Sequence, residues 1–189
     1  PYFLICEGYM DVISLHQAGF TNAVAALGTA FTVQHGLLLK RYTKEVVLTF
    51  DSDGAGIKAA LRAIPILKEA GLSARVLTMK PYKDPDEFIK NMGAEAYQKR
   101  IDEAIPSFMF EIQVLRDGYD FSDPSKKTEF FEKAANKLRT FEDVLERNNY
   151  IEAVSRTYGI DYQILKQKVE EHAYKAPQAM QQERKQVQK

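Results

Sequence analysis

Three short stretches concentrate acidic side chains: EGYMD at Glu7–Asp11, DSDGAG at Asp51–Gly56 and KDPDE at Lys83–Glu87. Each follows, or is set up to follow, an apolar run that reads as a buried strand. If those strand ends meet, Glu7, Asp11, Asp51, Asp53, Asp84 and Asp86 share one region. Crowded carboxylates repel one another, and a proton or a cation must offset the repulsion. A divalent ion does this and also clamps the oxygens of a phosphoryl group in transfer. Mg²⁺ prefers hard oxygen ligands and keeps several waters, so it needs few carboxylates, presented to open space.

Each motif also has a plainer explanation. DSDGAG reads as a strand-to-helix turn with an aspartate N-cap and glycines for geometry. Asp11 falls in the first turn of a helix, where a negative charge meets the favourable end of the dipole. Asp84 and Asp86 flank Pro85, and either could cap the next helix. Glu7 is harder to explain this way, because a carboxylate at the end of a wholly buried strand is costly without a partner. Three unrelated caps at three strand exits of one sheet are a poorer account than one shared site.

The elements that must position these residues follow from the apolar pattern. Tyr2–Cys6, Ala23–Ala26, Glu45–Phe50 and Ala74–Met79 read as strands, with EVVLTF the strongest. Helices are expected over Asp11–Ala18, over Val33–Tyr42 with Thr32 as N-cap, and from about Ala55 to Ala70, where Pro65 interrupts the pattern. Two short helices, Asp86–Asn91 and Ala94–Ala104, follow. Strand alternating with helix predicts a parallel sheet with right-handed crossovers, and ligands in such sheets sit beyond the carboxyl ends of the strands.

After Pro106 the pattern becomes helical: Ser107–Leu115, Ser125–Arg139, Glu142–Tyr158, and Tyr162–Ala173 with Asp161 as N-cap. We therefore expect an α/β domain over 1–105, a helical bundle over 106–174 and a flexible tail over 175–189. Phe130, Phe131, Leu138 and Phe141 fall at helical spacing, which favours core packing over a partner surface.

Composition narrows the classes. The chain has 189 residues, with 26 basic and 26 acidic side chains, so nucleic acid cannot be held by net charge and would need a local patch. Cys6 is the single cysteine and excludes an internal disulfide. It closes an apolar run and reads as a small core residue. No apolar stretch approaches about 20 residues, so no membrane span is expected. A cytoplasmic setting follows from these features. The opening at Pro1-Tyr2, straight into a strand, is expected of an excised fragment.

EGYMD, DSDGAG and KDPDE, in this order and spacing, together with NAVAALGTAFT at Asn22–Thr32, resemble the Toprim module of bacterial DNA primases. The helical segment resembles the bundle that follows Toprim in the primase RNA polymerase core. The resemblance implies metal-dependent synthesis of short RNA primers from ribonucleoside triphosphates on a single-stranded DNA template, with Mg²⁺ or Mn²⁺ as the metal. It implies that Glu7, Asp51 and Asp53 are catalytic and that Glu7, Asp51, Asp53, Asp84 and Asp86 hold metal. Asp11 would support them, Gly8 and Gly54 would allow close backbone approach, and Lys83 would contact phosphate. Such primases carry a zinc domain, a basic subdomain and a helicase-binding domain. None of these is expected in this chain, so the fragment alone should bind no zinc and prime weakly or not at all. The replicative helicase would then be a partner only through the absent domain.

Alternatives within reach of the same residues are a Toprim-type nuclease and an aspartyl-phosphate phosphatase or receiver-like domain, in which Asp51 would be the nucleophile. The receiver class normally places its nucleophile on the first strand, where this chain has Glu7.

Overall fold

The computed structural model describes residues 1–26 and 30–171. The Leu27-Gly28-Thr29 turn and the expected flexible tail lie outside the described residues. The chain forms two compact units, Pro1–Glu111 and Ile112–Lys189.

In the first unit the apolar runs become strands β1 (Tyr2–Cys6), β2 (Ala23–Ala25), β3 (Glu45–Leu48) and β4 (Ser73–Val76), with a short β5 (Ile105–Pro106). They form a five-stranded sheet in the order β2-β1-β3-β4-β5. The first four strands pair in parallel, as the strand–helix alternation predicts. β5 runs antiparallel to β4, pairing Ile105 with Val76. The sheet is therefore mixed, where the sequence led us to expect a parallel one. A two-residue strand is too short to leave a periodic signal.

Side chains alternate across the sheet, as strand geometry requires. Ile5, Val46, Leu48, Ala74 and Val76 face α2 (Val33–Lys40) and α3 (Gly54–Glu69), packing on Leu39, Ala60, Ile64 and Leu67. Leu4, Cys6 and Val47 face the opposite way, against Leu15 of α1 (Tyr9–Gln17) and Phe88, Tyr97 and Ile101 of α4 (Pro85–Asp102). Helices on both faces explain why β1 and β3 read as continuous apolar runs. Cys6 is 2% exposed, and burial pushes its thiol far up in pKa, so it serves as a core residue.

Local signals set the helix ends. Thr32 caps α2 in a box whose reciprocal partner is His35, with the Thr32 amide donating to His35 Nδ1 at 3.1 Å. α3 runs through Pro65 without ending. α4 joins the two helices expected there, and Gly93 marks the join with φ 81, a left-handed value that glycine adopts without strain.

α5 spans Ser107–Asp117. The second unit is built on α6 (Pro124–Leu138), α7 (Val144–Tyr158) and α8 (Tyr162–Glu170). Phe130, Ala134, Ala135, Leu138, Val154 and Leu165 are fully buried. Phe130 and Phe131 pack edge to face, with centroids 5.1 Å apart, and so belong to a core. Phe141 stacks on Tyr150 at 4.6 Å. Asp123, Asp143 and Asp161 cap the three helices through their side chains. Arg139 Nε donates to the Val169 carbonyl at 2.9 Å, tying α6 to the end of α8.

Candidate metal and phosphate site

The strand order makes a crevice. β2 lies on one side of β1, and the chain then crosses to the other side to form β3. Such a reversal parts the following loops at the carboxyl ends of β1 and β3, which is where α/β sheets bind ligands. EGYMD leaves β1 there, and DSDGAG leaves β3 there. The Asp51 amide donates to Glu7 Oε1 at 2.9 Å, joining the first two motifs across the reversal. The Ser52 amide donates to the Lys83 carbonyl at 2.7 Å, joining the second to the third.

The acidic side chains act on one another. Burial raises the Glu7 pKa, and the charges of Asp51 and Asp53 add to the rise, while the Asp51 amide and Lys83 oppose it. Asp51 is also raised, first by burial, with Asp84 and Asp53 adding and Lys83 opposing. Asp11 is pushed up to about 6, first by burial and then by Asp84 and Asp51; the Asp86 and Gly8 backbone amides oppose the rise. Asp11 is 9% exposed, so it is a buried acid. Raised carboxylates mean that the ionised forms are short of positive charge.

Lys83 supplies part of that charge. Its Nζ lies 3.6 Å from Asp51 Oδ2, while its side chain stays 60% exposed. Asp53 spends one oxygen on the Gly56 amide at 2.8 Å, capping α3. Asp84 spends one on the Glu87 amide at 2.8 Å, capping α4. The helix caps expected as plainer explanations are thus real, and each leaves the other carboxylate oxygen available. Among the described residues, no group of three or more His, Cys, Asp or Glu is arranged to hold a metal ion. The donors that do gather are carboxylate oxygens, suited to an ion that takes one or two protein ligands and keeps its waters.

Asp86 stands apart from this cluster. Its Oδ1 accepts from the Ser14 hydroxyl on α1, and its Oδ2 accepts from Lys90 Nζ at 2.6 Å. These bonds lower its pKa, with Lys90 first. The Lys90 partner is legible as an i,i+4 pair. Ser14, 72 positions away, has no sequence signal.

The glycines differ in the space around them. A Cβ on Gly54 would meet nothing within 4 Å, and one on Gly8 would make an ordinary contact with Asp11 at 3.6 Å. A Cβ on Gly56 would lie 1.9 Å from the Asp51 carbonyl oxygen. Within the protein itself the tight backbone contact of DSDGAG is at Gly56, while Gly8 and Gly54 have room around them. His16 Nε2 lies 3.0 Å from the Ala23 carbonyl and His35 sits in its cap, so neither faces the carboxylates. His172 lies outside the described residues.

The chain is similar to known proteins over both of its units. A family profile described as Toprim-like matches residues 4–89, and one described as the DnaB-helicase binding domain of primase matches residues 108–163. The DNA primase of Clostridium acetobutylicum is 36% identical over 162 residues, covering 86% of this chain and 27% of the relative. A crystal structure of a DNA primase domain from Pseudomonas aeruginosa superposes with a TM-score of 0.67 at 31% identity, covering 89% of this chain and 54% of that one. A DnaG primase catalytic domain bound to single-stranded DNA gives a TM-score of 0.67 at 30% identity, covering 86% of this chain and 52% of that one. The chain thus spans about a quarter of the length of the curated relative. The match over 108–163 corrects the expectation that any helicase-related segment lies outside this chain. Over the region it spans, the chain belongs to the DnaG-type bacterial DNA primases.

Proposed function

We propose that this chain supplies the metal-holding part of a primase RNA polymerase core, which makes short RNA primers from ribonucleoside triphosphates on single-stranded DNA during replication. The observation that carries the reading is the meeting of Glu7 and Asp51 at the β1–β3 reversal, with Asp53 and Asp84 close enough to raise or sustain their pKa values. A bound Mg²⁺ or Mn²⁺ would supply charge and Lewis acidity to the phosphoryl group in transfer. Glu7, Asp51, and the free oxygens of Asp53 and Asp84 are the candidates, one or two of which would hold it directly while the others take its bound waters. Asp51 and Glu7 bring negative charge, fixed in place by the Asp51 amide bond. The raised pKa of Glu7 suits it to hold or pass a proton at its carboxylate. Lys83 pairs with Asp51 and is exposed enough to turn to a triphosphate once a cation takes its place.

The proposed partners are template DNA, ribonucleoside triphosphates, the RNA primer and the replicative helicase. The DNA-bound catalytic domain among the structural relatives supports the first. The match of 108–163 to a helicase-binding profile supports a helicase contact within this chain. Cytoplasmic location goes with this reading; no helix among the described residues is long and apolar enough to cross a membrane. The chain alone is expected to prime weakly.

Mn²⁺ titration by calorimetry, on the chain and on Asp51→Asn/Asp53→Asn, tests the site. Equal affinity in the two would remove the assignment. Glu7→Gln in the full-length protein should reduce primer synthesis far more than template binding. DNA cleavage in Mn²⁺ without nucleotide incorporation would instead favour the nuclease alternative.

A further inference from the structure

The contacts of Asp86 differ in kind from those of the other acids in the three motifs. Both of its oxygens are engaged by groups outside the crevice, Ser14 on α1 and Lys90 on α4. Its backbone amide in turn acts on the Asp11 carboxylate, also on α1. The link between α1 and the start of α4 therefore has two parts: the Asp86 side chain takes a hydroxyl from α1, and the Asp86 amide favours the ionised Asp11 carboxylate of α1. The two connections cross at one residue, which fixes both the separation and the register of the helices. Asp84, the cap of α4 and a proposed metal holder, lies two residues before Asp86 and must follow its position.

We propose that Asp86 is a positioning residue that seats the KDPDE turn on α1, with Ser14 as its obligate partner, and that it is not a metal ligand. This rests on the metal-site reading above. It departs from what the motif resemblance implies, where Asp86 ranks with Asp84. A carboxylate already holding a hydroxyl and an ammonium is satisfied by charge-assisted hydrogen bonds, and no shortage of positive charge remains at Asp86 for an ion to fill. Its value lies in what it aligns, as outer partners of a metal site commonly do.

The test is a double-mutant cycle of Ser14→Ala and Asp86→Asn, read in two ways on the whole chain. Thermal unfolding in chelator follows the clamp without metal. The effect of Asp86→Asn should shrink sharply in the Ser14→Ala background, and additive effects would overturn the clamp. Mn²⁺ affinity, followed by the paramagnetic resonance signal of the free ion, separates ligand from positioner. Both single variants should lose affinity alike, by up to about tenfold, with the double variant no worse than either. A large loss in Asp86→Asn with none in Ser14→Ala would make Asp86 a ligand and overturn the proposal. If the unaltered chain binds no Mn²⁺, the metal-site reading fails, and the chelator cycle alone decides the clamp. Because Ser14→Ala removes only a hydroxyl from a partly buried site, the cycle remains readable if Asp86→Asn loosens the fold.

Discussion

The carboxylates of the first unit and those of the second are held in opposite ways. In the helical unit Asp123, Asp143 and Asp161 each cap their own helix. Asp120 is held below its ordinary pKa by Ser122, and Glu129 by Lys126. Those acids are satisfied by groups a few residues away and contribute to folding. In the α/β unit Glu7, Asp11 and Asp51 are raised, with burial first among the causes and other acids among the rest. They are brought together from distant motifs and left short of positive charge. Asp86 is the one acid of the three motifs that is lowered in the manner of the helical unit. The contrast shows that acidic residues are common in both units, and that burial first, with mutual repulsion added, distinguishes the crevice acids from those of a surface.

The sharpest way to break the contrast is at Gly56. Gly56→Ala places a Cβ 1.9 Å from the Asp51 carbonyl, so the DSDGAG loop must move. The cost should be about 3 kcal/mol in urea unfolding, the upper part of the range for overpacked sites, with Mn²⁺ binding lost as well. Gly54→Ala, with open space around it, should change stability by less than about 0.5 kcal/mol. Next in size, Asp51→Asn/Asp53→Asn should cut Mn²⁺ affinity by at least about tenfold in calorimetry, while raising the thermal midpoint in chelator because repulsion is relieved.

A third expectation concerns pH. The folded pKa of Asp11 is raised from its ordinary value to about 6, so the stability it contributes is complete below the unfolded value near 3.8 and is lost as pH rises through about 6. Unfolding in chelator at a series of pH values should show stability falling across that window, and Asp11→Asn should flatten the fall. An unchanged slope in the variant would mean that Asp11 is not the group responsible. The smallest effect serves as the control from the other unit: Asp123→Ala removes a helix cap and should cost about 1 kcal/mol with no change in Mn²⁺ affinity.

Much of this contrast is legible in the residues. β1 over Tyr2–Cys6 and β3 over Val46–Leu48 are apolar because helices cover both faces, and that signal is strong. The gathering of Glu7, Asp51 and Asp84 follows once the strands are read as parallel, since all three leave carboxyl ends. What is not legible depends on partners far apart in the chain or on the backbone path. β5 exists only because Ile105 reaches Val76. Asp86 looks like Asp84 in KDPDE, and its Ser14 partner on another helix leaves no trace in the motif. Gly56 looks less distinctive than Gly54 until the Asp51 carbonyl is traced beneath it.

The break at Gly93 has a consequence for how this part of the chain tolerates change. The arm of α4 before it carries Asp86, Lys90 and the buried Phe88, while the arm beyond it carries Tyr97, which is fully buried, its hydroxyl shared with Thr49 just past β3. The two arms are fastened to one core, with the Phe88 and Tyr97 rings 5.6 Å apart across the break, so a side chain at Gly93 that straightened α4 would pull one ring or the other out of its seat.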